Sequence, residues 1–154
     1  MKKLLLFVSA VSTAISSFAQ TETQIGTTTY DLQTNGSVAN RIVYTSNGTV
    51  QATWTFSNEL NATWSDRGTG YNYFNGTSWG AFPTARIEGA TRTGWPEIVT
   101  LANGSEVVIA HATGLGTLVK SSRTTAGTGT WNSIQLSTIA PSSVVWPRAA
   151  SGGA

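Results

Sequence analysis

Residues 97–112 read Glu-Ile-Val-Thr-Leu-Ala-Asn-Gly-Ser-Glu-Val-Val-Ile-Ala-His-Ala, two largely apolar runs separated by an Asn-Gly pair. Asn-Gly between such runs predicts a β-hairpin, because a type I′ turn needs a positive φ at both central residues. If Asn103 and Gly104 form a two-residue loop, Val99 faces Val108 and both faces of the hairpin are largely apolar. A sheet of this kind is expected to be covered on both sides.

The same Asn-Gly pair recurs at residues 35–36, 47–48 and 75–76, each time between β-branched or aromatic runs. No segment of the chain after the first twenty residues shows a helical period. We therefore predict an all-β fold with a hairpin at each pair. The predicted strands lie near residues 27–33, 40–45, 49–57, 71–74, 77–82, 97–101, 106–112, 116–122, 130–136 and 143–148.

The composition excludes several classes of site. The chain has 154 residues, of which 10% are charged and none is cysteine, so zinc-finger, iron–sulfur, disulfide and thiol-nucleophile chemistry are excluded. His111 is the only histidine, so neither a histidine triad nor a multi-histidine metal site can form. We expect His111 to be a structural, hydrogen-bonded side chain opposite Pro96. No phosphate loop or calcium-binding run is present, and we expect no cofactor and no metal.

The N-terminus reads as a secretory signal peptide, residues 1–19. Lys2 and Lys3 precede an apolar stretch, and the small residues Ser17 and Ala19 stand before a cut at Gln20. We expect a secreted protein, extracellular or at the cell surface, exported through the periplasm of a Gram-negative bacterium. A membrane anchor is the alternative, but the apolar stretch is short for a span, so we expect no membrane span.

Cleavage also removes two cations, which leaves seven basic against seven acidic residues. The seven remaining cations are scattered singly along the chain. The basic stripe of a nucleic-acid-binding protein is missing, so we expect no nucleic acid as a partner.

Two landmarks recur about 50 residues apart. Gly-Thr-Ser-Trp ends at Trp79 and Gly-Thr-Trp ends at Trp131, and the Trp-Pro pairs begin at Trp95 and Trp146, so the offsets are 52 and 51 residues. A repeat of this length made of four short strands predicts β-propeller blades. We place blade one at 27–82, blade two at 95–136 and the start of blade three at 144–154. A small antiparallel β-sandwich is the alternative.

Residues 70–79, Gly-Tyr-Asn-Tyr-Phe-Asn-Gly-Thr-Ser-Trp, together with the repeated Gly-Thr-Trp and Trp-Pro elements, resemble the sialidase-type BNR (Asp-box) β-propeller repeats of secreted bacterial proteins. Residues 122–131 keep the Gly-Thr-Trp of the Asp-box but have no aspartate. The resemblance implies an incomplete propeller of about two four-stranded blades and the start of a third. Members of this family include both glycosidases and non-catalytic surface proteins.

We expect a module that binds a glycan or a surface protein, with the remaining blades of the same protein as further partners. The alternatives are the N-terminal part of a sialidase-like glycoside hydrolase and a purely structural repeat segment. A glycosidase needs two carboxyl groups about 5–9.5 Å apart. In the predicted hairpin Glu97 and Glu106 share a face but stand on the order of 13 Å apart. We therefore assign no catalytic residue, and we expect this segment alone to be non-catalytic.

Five residues are candidates for ligand binding. Trp54 and Trp64 do not recur in the repeat, so they are predicted to form an exposed platform, whereas the recurring tryptophans are predicted to be core. Asp66 and Arg67 lie in a long excursion, residues 58–70, that could reach a channel mouth, although a turn with a local ion pair is the alternative. Arg148 takes the place of Glu97 in the next repeat, near the start of an innermost strand.

The repeat predicts that this chain is the front piece of a longer protein. Reading the source DNA beyond codon 154 tests this: an open frame with further Trp-Pro repeats is the expected result. A stop codon there favours the sandwich or an assembly that closes by oligomerisation.

Overall fold

Within the residues that the structure describes, the regular secondary structure consists of seven β-strands, with no helix. It is a computed structural model, and it describes residues 21–34, 40–137 and 144–152. The predicted all-β fold is confirmed. The strands are β1 (Ile42–Tyr44), β2 (Val50–Phe56), β3 (Gly68–Phe74), β4 (Thr93–Thr100), β5 (Glu106–Ala112), β6 (Thr117–Arg123) and β7 (Asn132–Gln135).

The strands form two antiparallel sheets in which neighbours in space are also neighbours in sequence. The first sheet has the order β1-β2-β3 and the second has the order β4-β5-β6-β7. Over the described ranges the sheets close into neither a barrel nor a propeller. Two stacked sheets of three and four strands are consistent with a β-sandwich or with an incomplete propeller.

The predicted hairpins are present at 47–48, 75–76 and 103–104, whereas residues 35–36 lie outside the described residues. The predicted turn type at Asn103 is wrong. Gly104 N donates to Leu101 O at 2.9 Å, and Leu101 N donates to Ser105 O at 2.9 Å, which makes a three-residue loop. Only the glycine has a positive φ, 82°. This is the geometry of a turn followed by a glycine bulge, and it shifts the register by one residue, so that Ile98 faces Val108.

The shift moves every side chain of β4 to the opposite face relative to β5. Thr100 now faces Glu106, and Glu97, three residues earlier, lies on the other face of the sheet. The prediction that Glu97 and Glu106 share a face is therefore wrong. The predicted partner of His111 is also wrong: a bulge at residues 95–96 places Gly94, rather than Pro96, opposite His111.

Three predicted strands are absent from the described residues. Residues 27–33 run beside β2, where a backbone bond from Thr29 N to Ser57 O at 2.9 Å is joined by side-chain bonds. Thr28 Oγ1 and Gln33 Nε2 donate to Thr55 O at 2.9 and 2.8 Å. Residues 77–82 contribute one isolated bridge, between Trp79 and Phe74. Residues 144–148 form no strand, and residue 143 lies outside the described residues.

The two sheets pack face to face through a polar interface. Trp95 N donates to Thr55 Oγ1 at 3.0 Å, and Thr100 Oγ1 donates to Gln51 Oε1 at 2.6 Å. Ile98 and Val108 supply apolar packing and are fully buried. These bonds satisfy the Thr55 and Thr100 hydroxyls and the amide oxygen of Gln51, whereas Gln51 Nε2 is buried without a partner among the described residues.

Local geometry repeats along the chain. The β1–β2 turn has the same bonds as the β4–β5 turn, with Gly48 N donating to Thr45 O at 2.9 Å and a φ of 83° at Gly48. The hairpin that corresponds to β4–β5 is therefore β1–β2.

The entry into each later copy also repeats. Trp95 and Trp146 both have a positive φ, 50° and 52°. Two residues before each tryptophan, a backbone N–H donates to the carbonyl of the residue that precedes the third strand of a sheet. Thr93 N donates to Arg67 O at 3.2 Å, and Val144 N donates to Gly116 O at 2.8 Å. Residues 144–149 thus meet the second sheet as residues 93–98 meet the first.

Gly70 makes a close backbone approach that a side chain would block. A Cβ at this position would stand 2.4 Å from Cε2 of Trp54. We predict that Gly70→Ala lowers the free energy of unfolding by about 1–3 kcal/mol, as overpacking does elsewhere. Urea denaturation measures it, with Gly152→Ala as the control because nothing lies within 4 Å of that position.

The loss of unfolding free energy caused by Gly70→Ala should be smaller in a Trp54→Leu background, because the indole is the group that the new methyl contacts. An equal penalty with and without Trp54 contradicts this packing.

Candidate functional site

The first segments of three successive copies meet along one line, which we call the axial edge: residues 40–41, 97–98 and 148–149. Ile98 N donates to Asn40 O at 2.8 Å, and Asn40 Nδ2 donates to Ala149 O. Ala149 N in turn donates to Glu97 Oε2 at 2.5 Å. These bonds join chain segments that are more than 50 residues apart in sequence.

Charged residues occupy one equivalent position in all three segments, in the order Arg41, Glu97, Arg148. Glu97 is fully buried and Arg148 is exposed. Burial lowers the pKa of Arg41, and the nearby carboxylate of Glu97 opposes that effect. Arg41 Nη1 donates to Gln33 Oε1 at 3.1 Å. The axial edge therefore alternates in charge.

A groove of about 380 Å³ lies beside the axial edge, between β1, β4 and residues 150–151. Its lining combines an amide from Asn40, hydroxyls from Thr100 and Ser151, and the ring of Tyr44. Tyr44 is 72% exposed, so its face is open to a ligand. Polar groups beside an exposed aromatic ring can bind a hydroxylated molecule by hydrogen bonds and stacking.

The two tryptophans predicted to form an exposed platform are both half-buried. The ring of Trp54 lies against Gly26 and Gly70, and its Nε1 donates to Thr27 O at 3.3 Å. Trp64 packs edge-on against Tyr30, with ring centroids 5.0 Å apart. Packing thus takes up a large part of each ring.

Asp66 and Arg67 hold separate sets of partners. Burial alone would raise the pKa of Asp66, but hydrogen bonds from Ser57 Oγ and Asn58 N outweigh it and keep the pKa low. Arg67 is 5% exposed and donates to Thr93 O and to Tyr30 Oη, both at 3.0 Å. Both side chains fasten the excursion to its surroundings.

An aromatic stack surrounds the single histidine. The imidazole of His111 stacks on Trp95 at 5.4 Å, and Trp146 meets it edge-on at 6.4 Å. The prediction of a structural histidine fits this packing, but the predicted hydrogen bond is missing at Nδ1, which is buried without a partner among the described residues. The guanidinium carbon of Arg67 also lies over the Trp95 ring, 4.9 Å from its centroid.

Most of the described carboxylates are engaged in internal hydrogen bonds. Glu88 accepts from Thr69 N at 2.9 Å and from Thr93 Oγ1 at 2.8 Å. Glu106 accepts from Arg123 Nε at 2.5 Å. Since Glu97 and Glu106 lie on opposite faces, they cannot flank one glycosidic bond. Within the described residues, no three acidic, histidine or cysteine side chains form a group that could hold a metal ion.

Sequence reasoning named Arg148 as a candidate but did not name Arg41, which the structure places at the equivalent position. Counting six residues back from the glycine of each Asn-Gly turn, from Gly48 and from Gly104, reaches 42 and 98, and the residues before them are Arg41 and Glu97. The spacing from the Asn-Gly turns therefore indicates that Arg41 and Glu97 are equivalent positions. The buried pair of Glu106 and Arg123 had no comparable signal, because its partners belong to different strands.

Comparison with family models, curated proteins and solved structures found no match to this chain. In the part of the chain that the structure describes, no helix is long and apolar enough to cross a membrane.

The environment of His111 predicts a pH dependence. Burial, and then the charge of Arg67, lower its pKa below the ordinary value of about 6.5. The unfolded chain therefore binds a proton more readily than the folded chain, and stability should fall as the pH drops through 6.5 towards the folded-state pKa.

Two measurements check this. The Hε1 resonance of the single histidine should titrate with a midpoint below 6.5, and His111→Phe should remove the loss of stability in that window. A midpoint at or above 6.5 contradicts the prediction.

Proposed function

We propose that this chain is a secreted, non-catalytic segment of a β-propeller that binds a glycan or protein ligand at the axial edge. The observation that carries the proposal is the convergence of three successive strand starts beside a groove with an exposed aromatic ring. Secretion rests on the signal peptide at residues 1–19.

The repeated entry geometry supports a propeller over a sandwich. A sandwich consists of two sheets that cover each other. It does not require residues 144–149 to join the second sheet in the way that residues 93–98 join the first. Here Val144 and Trp146 reproduce the backbone bond and the positive φ of Thr93 and Trp95. The blades of a β-propeller are stacked around an axis in this way, each blade meeting the next with the same geometry.

The engagement of the carboxylates supports binding over hydrolysis. A general acid must reach the substrate with a carboxyl group of suitable pKa. Glu88, Glu97 and Glu106 are fully buried and already bonded to neighbouring groups. The groove presents the exposed ring of Tyr44 and the hydroxyl of Ser151, whereas the Asn40 amide and the Thr100 hydroxyl already donate to Ala149 O and Gln51 Oε1.

A glycan array with the full chain tests the proposal. We expect Tyr44→Ala to weaken binding at least tenfold, about 1.4 kcal/mol, because it removes the exposed ring of the groove. Phe82→Ala is the matched control: Phe82 is an aromatic side chain, 46% exposed, outside the groove.

Equal losses for Tyr44→Ala and Phe82→Ala contradict a ligand site at the axial edge. If the same preparation releases the aglycone from an aryl sialoside, and the variants that lose ligand binding still release it, the hydrolase alternative is favoured instead.

A further inference from the structure

Three Asn-Gly pairs lie in turns that the structure describes, and the asparagine of each pair is exposed: Asn47, Asn75 and Asn103. In such a pair the backbone nitrogen of the glycine can attack the side-chain carbonyl carbon of the asparagine, because no Cβ on the glycine blocks the approach. We propose that Asn75 is a site of covalent self-modification, at which the folded chain loses an amide much faster than at Asn47 or Asn103.

The modification requires water and no other reagent. A bond forms between Gly76 N and Asn75 Cγ, the bond from Cγ to Nδ2 breaks, and ammonia leaves with the proton that Gly76 N has given up. Because attacker and target are neighbours in the chain, the reaction is intramolecular. Water then opens the succinimide ring at one of its two carbonyls. One opening gives aspartate, and the other gives isoaspartate, in which the backbone runs through the former side chain.

The glycine nitrogen distinguishes the three sites. Gly48 N donates to Thr45 O and Gly104 N donates to Leu101 O, both at 2.9 Å. Gly76 is exposed, and its N–H has no hydrogen-bond partner among the described residues. The nitrogen has to lose its proton and turn towards Cγ before it can attack. A hydrogen bond that holds the N–H against a carbonyl opposes both steps.

The carbonyl group under attack at Asn75 is polarised by the turn. Its Oδ1 accepts from Thr77 N and from Ser78 N, both at 2.9 Å. Negative charge develops on this oxygen when the nitrogen adds to Cγ, and a pair of backbone N–H groups stabilises such an oxyanion. At Asn103 a single backbone N–H, that of Ser105, donates to Oδ1, at 3.0 Å.

Asn47 is a matched control within the same chain. Both sites read Asn-Gly-Thr, and Asn47 Oδ1 also has more than one donor, since Thr49 N and Thr49 Oγ1 bond to it at 3.3 and 3.0 Å. The fold therefore separates Asn47 from Asn75 chiefly by the bond that holds Gly48 N. The preceding residues differ as well, and the unfolded chain measures what that difference contributes.

The two products have different effects on the turn. Aspartate at position 75 keeps the backbone and can accept the same two N–H bonds. Isoaspartate lengthens the backbone by one carbon beside the bond from Asn75 N to Ser78 O, 3.1 Å, and beside the bridge between Phe74 and Trp79. Isoaspartate therefore weakens the pairing of residues 78–80 with β3.

Incubation of the folded full chain at mildly alkaline pH, followed by tryptic digestion and mass spectrometry, tests the proposal. Cleavage after lysine and arginine places the three sites on separate peptides, 42–67, 68–86 and 93–120. Fragment ions assign each gain in mass to one asparagine. We expect Asn75 to convert at least about fivefold faster than Asn47 and Asn103, the factor that one typical backbone hydrogen bond is worth. In urea, where the turns are lost, the three rates should converge.

Equal rates in the folded chain, or a faster rate at Asn47 or Asn103, overturn the proposal. The same ranking in urea overturns it too, because the neighbouring residues and not the fold would then set the rates. The variant Asn75→Asp has the product side chain on an intact backbone, so its melting temperature should match that of the unmodified chain. The isoaspartate fraction, separated by anion exchange, should melt lower. Equal melting of that fraction and of Asn75→Asp contradicts the weakened pairing of residues 78–80.

Discussion

The structure depends on how β4 leaves the first sheet and enters the second. Trp95 adopts a positive φ, which costs a bulky side chain on the order of 1–2 kcal/mol. The surroundings offset that strain: Trp95 N donates to Thr55 Oγ1, and the indole packs against both Arg67 and His111. Because this crossing lays β4 against β2, the face-to-face contact of the sheets and the position of Glu97 at the axial edge both follow from it.

The interface between the sheets explains why a chain so poor in charge and so rich in threonine and serine can fold. Gln51, Thr55 and Thr69 are fully buried, yet each has a hydrogen-bond partner across a strand or a sheet. Such networks specify register closely, because a shift by one residue leaves buried groups unpaired. The threonines, serines and Gln51 that make the sequence look polar and turn-forming are therefore the residues that supply much of the core.

The sequence was sufficient for the fold class and for the positions of three hairpins, but not for their register. Type I′ turns and three-residue loops both need a glycine with positive φ, and they differ in the residue before it. Here the side chain of Asn103 accepts a hydrogen bond from Ser105 N at 3.0 Å, and Asn47 accepts one from Thr49 N at 3.3 Å. These local bonds accompany the longer loop, and the resulting shift of one residue reversed the predicted relation of Glu97 to Glu106.

The same physics limits what the sequence could say about sites. Arg67 was predicted as a ligand-binding candidate because it lies in a long loop, but loop position says nothing about a side chain that folds inward to reach Tyr30 and Thr93. Arg148 was found through the repeat, which is a geometric argument, and it is exposed at the axial edge.

The distribution of charge between interior and surface follows from the fold. Residues 20–154 hold seven acidic and seven basic residues, yet Glu97 and Glu106 are fully buried and Glu88 is only 4% exposed. Among the cations, Lys120 and Arg148 keep contact with solvent. Because Arg67 and Arg123 are also largely buried, while Glu22 and Asp31 are exposed, the interior and the accessible surface each stay close to a balance of charge.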